Sequence, residues 1–185
     1  MCIRDSPNAD LNSVLIGAVF GAVGTAGQRC TSTRRLIIHD SIYEEVKNKL
    51  AKAYTQLRIG NPLDSTIHVG PLIDKLAVQA YTNAINEAKA QGCKMLVEGA
   101  VLEGADYESG CYVQPCIIEA ENHLPIVQKE TFAPILYIMK YSDLKDALAQ
   151  QNGVPQGLSS AIMTDSIREA EFFLSANGSD CGIAN

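Results

Sequence analysis

From Asp10 onward the apolar residues Leu11, Val14, Leu15, Ala18, Val19 and Ala22 recur at steps of three and four, the spacing that keeps side chains on one helix face. Asp10 can cap the start, and Gly24 and Gly27 end the run, so the pattern predicts a buried helix leading into a glycine-rich turn. Arg35 to His39 is a short run rich in β-branched residues and predicts a strand. Ser41-Ile42-Tyr43-Glu44 then has the form of a capping box, opening a helix with Ile42, Val46, Leu50, Ala53 and Leu57 on one face and Gly60-Asn61-Pro62 beyond its end. Asp74 opens another helix, in which Ala77, Tyr81, Ile85 and Ala88 share a face and Gly92 is the stop; Lys94 to Val97 is a candidate strand.

Beyond Gly110 the predicted strands are Tyr112 to Ile118, Ile135 to Tyr141, Leu158 to Thr164 and Cys181 to Ala184. Helices over Ser142 to Gln150 and Ser166 to Ala176 separate them, an alternation that predicts a layered α/β sheet. The opening Met1 to Ser6 has neither periodicity, so residues 1–9 are set apart from residues 10–185.

Charge and composition narrow the class. With 15 Lys plus Arg against 21 Asp plus Glu, a net charge of -6 and 46% hydrophobic residues, the chain is that of an ordinary globular domain. No basic cluster offers a footprint for nucleic acid. The most apolar stretch, Val14 to Val23, falls well short of the roughly 20 residues of a membrane span. At 185 residues one sizeable core can form, whereas an enzyme with separate cofactor and substrate domains needs more chain. The six cysteines lack close-paired spacing, His39, His68 and His123 are scattered, and nothing at the start reads as a signal peptide; the thiols are read as reduced and intracellular, with no metal site.

Three places could carry chemistry. In Gly24-Thr25-Ala26-Gly27-Gln28-Arg29-Cys30-Thr31 a small-residue turn presents one thiol beside a cation. A nucleophilic cysteine needs such a setting, because its free pKa of about 8.5 leaves little thiolate near neutrality. Local sequence leaves Cys30 open between that role and a small buried hydrophobe. Gly17, Gly21, Gly24 and Gly27 match no phosphate-loop spacing and fit close helix packing instead. Glu130-Thr131-Phe132-Ala133-Pro134 places a carboxylate and an aromatic on a turn before a strand, suited either to sugar hydroxyls and a flat ring or to a solvated turn whose Phe plugs the core. The pair Arg34-Arg35 reads as a solvated or ion-paired strand entry.

Together, Gly27-Gln28-Arg29-Cys30, the Glu130 to Pro134 segment and Gly157-Leu158-Ser159-Ser160 resemble the aldehyde dehydrogenase superfamily from about Asp10 to Asn185. Phe20 to Arg35 and Ser179-Asp180-Cys181-Gly182-Ile183-Ala184-Asn185 are similar to the branch that oxidises α-aminoadipic semialdehyde, a step of lysine catabolism. The resemblance implies an incomplete catalytic domain of α/β class, lacking the coenzyme-binding and oligomerisation parts. It implies Cys30 as nucleophile, with its backbone N–H helping to hold the oxyanion. Glu130 and Phe132 would contact NAD, and Arg29 would grip a distal carboxylate on the aldehyde substrate. The complete parent is expected to be a homo-oligomer, a tetramer, in the cytoplasm or mitochondrion.

The superfamily's general-base glutamate and oxyanion asparagine lie farther upstream of the nucleophile than this chain extends, so the chain alone is expected to show little or no turnover, and its uncovered apolar faces to favour aggregation. Three other readings remain open on sequence: a cysteine acyl-transfer or hydrolytic enzyme with a histidine base, a non-catalytic module on the same fold, and a dehydrogenase of another semialdehyde or amino-aldehyde.

Overall fold

The structure, a computed structural model, describes residues 2–5 and 9–185. A seven-stranded sheet organises it, in the order β3-β4-β5-β2-β1-β6-β7, from the strands β1 (Cys2–Asp5), β2 (Arg35–His39), β3 (Lys94–Val97), β4 (Cys116–Glu119), β5 (Ile135–Tyr141), β6 (Ser159–Met163) and β7 (Ile183–Ala184). Every neighbouring pair is parallel except β3 with β4, which is antiparallel at the edge. Leu36, Ile37 and Ile38 of β2, Ile117 and Ile118 of β4, and Leu136 and Ile138 of β5 are all buried. Consecutive burial, rather than alternation, is what a parallel sheet covered on both faces requires.

Capping sets the helix starts. Asp10 accepts from the N–H groups of Asn12 and Ser13 to open α1 (Leu11–Val23), and Asp74 accepts from Ala77 to open α3 (Lys75–Ala90), as the sequence predicts. The same device opens α5 (Leu144–Asn152) at Asp143 and α6 (Ile167–Leu174) at Ser166. α2 (Asp40–Tyr54) differs from the capping-box reading. Its cap is His39, whose ring accepts from Ser41 N–H, and its buried face is Tyr43, Val46, Leu50 and Tyr54. The helix stops at Tyr54, ahead of the predicted glycine.

Three further expectations are corrected. α1 is buried along Val14, Ala18, Ala22 and Val23, but Ile16 and Phe20 on its other side are exposed. β4 begins at Cys116, and Val113 joins only an isolated bridge to Val101. Within the opening segment, Cys2–Asp5 pair in parallel with both β2 and β6 in the middle of the sheet; four residues paired on both sides carry no alternation to read. Residues 1 and 6–8 of that segment lie outside the described residues. No helix among the described residues is long and apolar enough to cross a membrane.

Candidate active site

Cys30 stands at the tip of a turn between α1 and β2. Two bonds between the same pair of residues close that turn: Ser32 N–H donates to the Arg29 carbonyl at 3.0 Å, and Arg29 N–H donates to Ser32 Oγ at 3.0 Å. Just upstream, Thr25, Ala26 and Gly27 all have positive φ (54°, 52° and 67°). Left-handed backbone costs a non-glycine residue on the order of 1–3 kcal/mol, and such residues cluster at functional sites. Gln28 fastens this strained stretch, its side-chain oxygen accepting from Ile73 N–H at 2.9 Å and its side-chain nitrogen donating to the Pro71 carbonyl at 3.3 Å. The thiol ends up exposed. That removes the buried-hydrophobe reading of Cys30.

A second segment folds back onto the turn. After the short helix α4 (Pro125–Gln128), residues 129–134 form a strap that delivers the chain into β5. Phe132 is 45% exposed, so it does not plug the core. Glu130 is exposed beside it.

Cys30, Glu130 and Phe132 line one cleft of about 380 Å³, together with Gly157, Leu158 and Cys181. That volume lies in the range of small-molecule sites, roughly 300–1,000 Å³. The cleft opens at the N-terminal ends of β2, β5, β6 and β7, the edge at which the turn, the strap and the two later loops enter the sheet. Ligands of open α/β sheets more commonly sit at the opposite, carboxyl edge.

Two guanidinium groups support the cleft. Arg35 is buried, donating from Nη1 to Asn122 Oδ1 and the Gln150 carbonyl, each at 2.7 Å, and from Nη2 to the Gln151 carbonyl at 2.9 Å. It thereby caps the carboxyl end of α5, where a cation is favoured. Arg34 donates from Nη1 to the Ala133 carbonyl at 2.8 Å and lies over the Phe132 ring at 5.2 Å. Burial pushes its guanidinium below the ordinary arginine range, while the nearby Glu130 carboxylate opposes the shift. Of the two alternatives read from sequence, the solvated strand entry does not hold for either arginine, while the ion-paired one survives only in the pull between Arg34 and Glu130.

Arg29 is not in the cleft with Cys30. Its Nη2 donates to the Phe20 carbonyl at 3.0 Å and its guanidinium lies over the Phe20 ring at 4.9 Å. There it lines a separate groove of about 630 Å³ along α1, with Leu15, Ile16, Val19 and Phe20. Its Nε is buried without a partner among the described residues.

None of the three histidines lines the Cys30 cleft. His39 caps α2, His68 accepts from Arg58 N–H at 3.1 Å, and His123 is exposed beside Glu121. The described residues hold no group of three His, Cys, Asp or Glu placed to bind a metal. Residues that local reasoning missed are Arg34, Arg35 and Gln28. The signal for the arginines was a charged pair at the entry to the apolar run Leu36-Ile37-Ile38.

Comparison with known proteins bears on the family and the fold. Residues 6–184 match the aldehyde dehydrogenase family. The chain is 47% identical over 179 residues to the alpha-aminoadipic semialdehyde dehydrogenase of Bos taurus, covering 96% of this chain and 32% of that one. It is 44% identical over 178 residues to aldehyde dehydrogenase family 7 member A1 of Pisum sativum, with 96% and 34% covered. Among solved structures, HpcC from Thermus thermophilus superposes with a TM-score of 0.91 at 30% identity, covering 99% of this chain and 36% of that one. The chain spans about a third of the length of the curated relatives it matches. With a family match that runs almost from end to end and a fold shared with its solved members, the chain belongs to the aldehyde dehydrogenase family.

Proposed function

We propose that the complete protein carrying this chain oxidises an aldehyde with NAD, and that Cys30 is the nucleophile. The observation that carries the reading is the meeting of Cys30, Glu130 and Phe132 in one cleft, although a hundred residues of chain separate the first from the other two. A thiol on an exposed turn can add to a carbonyl carbon and form a thiohemiacetal. The backbone N–H of Cys30 is the donor for the oxygen that becomes negative in that step.

The residues fit the nicotinamide end of the cofactor. Phe132 offers an exposed flat ring and Glu130 an exposed carboxylate able to accept from ribose hydroxyls. NAD, when bound, supplies the acceptor for the hydride that leaves the thiohemiacetal carbon. Loss of that hydride leaves a thioester on Cys30, which water must then hydrolyse.

Arg29 has a different place in this reading. The groove along α1 is apolar along Leu15, Ile16, Val19 and Phe20 and carries one guanidinium with a spare buried donor. It lies apart from the cleft that holds Cys30, so the support for α-aminoadipic semialdehyde as substrate is the 47% identity to the Bos taurus enzyme of that name and not the position of Arg29. The absence of any histidine from the cleft weighs against a histidine-assisted hydrolase.

The test is NADH formation by the full-length protein with α-aminoadipic semialdehyde. Turnover that disappears in Cys30→Ala supports the reading. Turnover retained in that variant, or no turnover by the native protein with any aldehyde, sinks it.

A further inference from the structure

Arg34 acts on three residues of the strap. Its Nη1 bonds the Ala133 carbonyl at 2.8 Å, its Cζ lies over the Phe132 ring 5.2 Å from the centroid, and its charge acts on Glu130. A planar guanidinium can do all three together, because its donors lie in the plane while its faces remain free to stack. The strap residues it meets include two of the three that line the cleft beside Cys30, Glu130 and Phe132.

The rest of the group is poorly satisfied. Nε and Nη2 of Arg34 are buried without a hydrogen-bond partner among the described residues. A buried donor left unpaired is destabilising, so packing alone gives no reason to hold a guanidinium here. An apolar side chain would fill the same space without that penalty. What an apolar side chain could not do is fix the Ala133 carbonyl, orient Phe132 and attract Glu130 at once.

We propose that Arg34 is a positioning residue for the strap, holding Phe132 and Glu130 where they meet the nicotinamide end of the cofactor. The cofactor half of this proposal rests on the dehydrogenase reading above. The strap half stands on the geometry alone.

The experiment therefore has two arms, both on the full-length protein with Arg34→Met and Arg34→Lys. In the first, without cofactor, trypsin cleavage after Lys129, the exposed residue that leads into the strap, is followed by peptide mass spectrometry. Arg34→Met is expected to speed cleavage there several-fold and nowhere else, with thermal unfolding unchanged. Arg34→Lys should be intermediate, because an ammonium can still donate to Ala133 but has no plane to lay on Phe132.

In the second arm, the KM for NAD should rise about tenfold in Arg34→Met, the loss expected from one charge-assisted contact. Alkylation of Cys30 by iodoacetamide in the absence of NAD should stay at the native rate. Unchanged cleavage after Lys129 overturns the proposal, as does cleavage that rises at every site together with a loss of thermal stability. An unchanged KM for NAD in a variant whose strap has loosened also overturns it. If the native protein neither binds NAD nor oxidises aldehydes, the dehydrogenase reading fails by itself, and the trypsin arm still decides whether Arg34 holds the strap.

Discussion

A β-carbon added at Gly27 would lie 2.5 Å from the carbonyl oxygen of Ala133, so the turn before Cys30 and the strap before β5 touch backbone to backbone. Gly27 also has φ of 67°, a conformation open to glycine and strained for other residues. Gly27 and Arg34 thus flank Cys30 in sequence and meet the same residue of the strap, and the thiol is placed relative to Phe132 from both sides. Gly27→Ala is expected to destabilise the protein by about 1–3 kcal/mol from backbone strain alone, with the steric clash adding to it. Urea unfolding measures this. A variant within about 0.5 kcal/mol of the native protein, the range of ordinary surface changes, would show that the strap can yield without consequence.

The cysteines differ enough in setting for their reactivity to be ranked. Cys30 is exposed on its turn, whereas Cys116 is fully buried in β4 and burial pushes its thiol up to about 12. Burial also raises Cys93. Reactivity requires both thiolate and access. In the folded full-length protein, iodoacetamide near neutral pH should therefore label Cys30 before Cys93, and Cys116 only after unfolding. Peptide mapping over a time course gives the order, and labelling of Cys93 ahead of Cys30 would count against the nucleophile assignment.

The parts legible in the sequence are those specified over short distances. Asp10 and Asp74 mark helix starts because a carboxylate and the N–H groups it caps lie within three residues of each other. β5 runs over the predicted Ile135 to Tyr141 because its apolar run is long and bounded by Pro134. β1 was unreadable, since four residues paired on both sides show no alternation. The roles of Arg34 and Arg35 were hidden for a different reason. Their partners Ala133, Asn122, Gln150 and Gln151 lie roughly ninety to a hundred and twenty residues away, and only the folded sheet brings those carbonyls to the start of β2. Arg29 shows the limit of adjacency: it neighbours Cys30 in the chain, yet its side chain turns onto α1 and into another groove.

Arg35 gives a prediction about the scaffold rather than the chemistry. Its guanidinium bonds Asn122, Gln150 and Gln151, joining β2 to the end of α5 and to the loop before α4. Arg35→Met keeps much of the volume but leaves those acceptors without their donor, which costs about 2–4 kcal/mol. The urea midpoint should fall while the dependence of the unfolding free energy on urea stays the same. A midpoint equal to that of the native protein would mean that the carbonyls find other donors.

At the carboxyl end of β4, Glu119 sets a pH dependence whose sign follows from its neighbours. Burial alone would raise its carboxyl, but hydrogen bonds from Tyr43 and Lys47, the ion pair with Lys94 and the Lys47 charge outweigh burial and hold it below the ordinary glutamate value of 4.5. The Tyr43 hydroxyl is 3.0 Å from one oxygen and Lys47 Nζ is 3.2 Å from the same atom, while Lys94 Nζ is 3.3 Å from the other. A carboxyl whose folded pKa is depressed adds stability that is fully present above its unfolded value and is lost as pH falls through its folded value. The native protein should therefore exceed Glu119→Gln in stability at neutral pH, and the gap should close below about pH 4.5 as protonation makes the two side chains alike. Urea unfolding of both proteins from neutral pH to about pH 3 tests this. A gap that stays constant across that range would show that Glu119 acts through its shape and not through its charge.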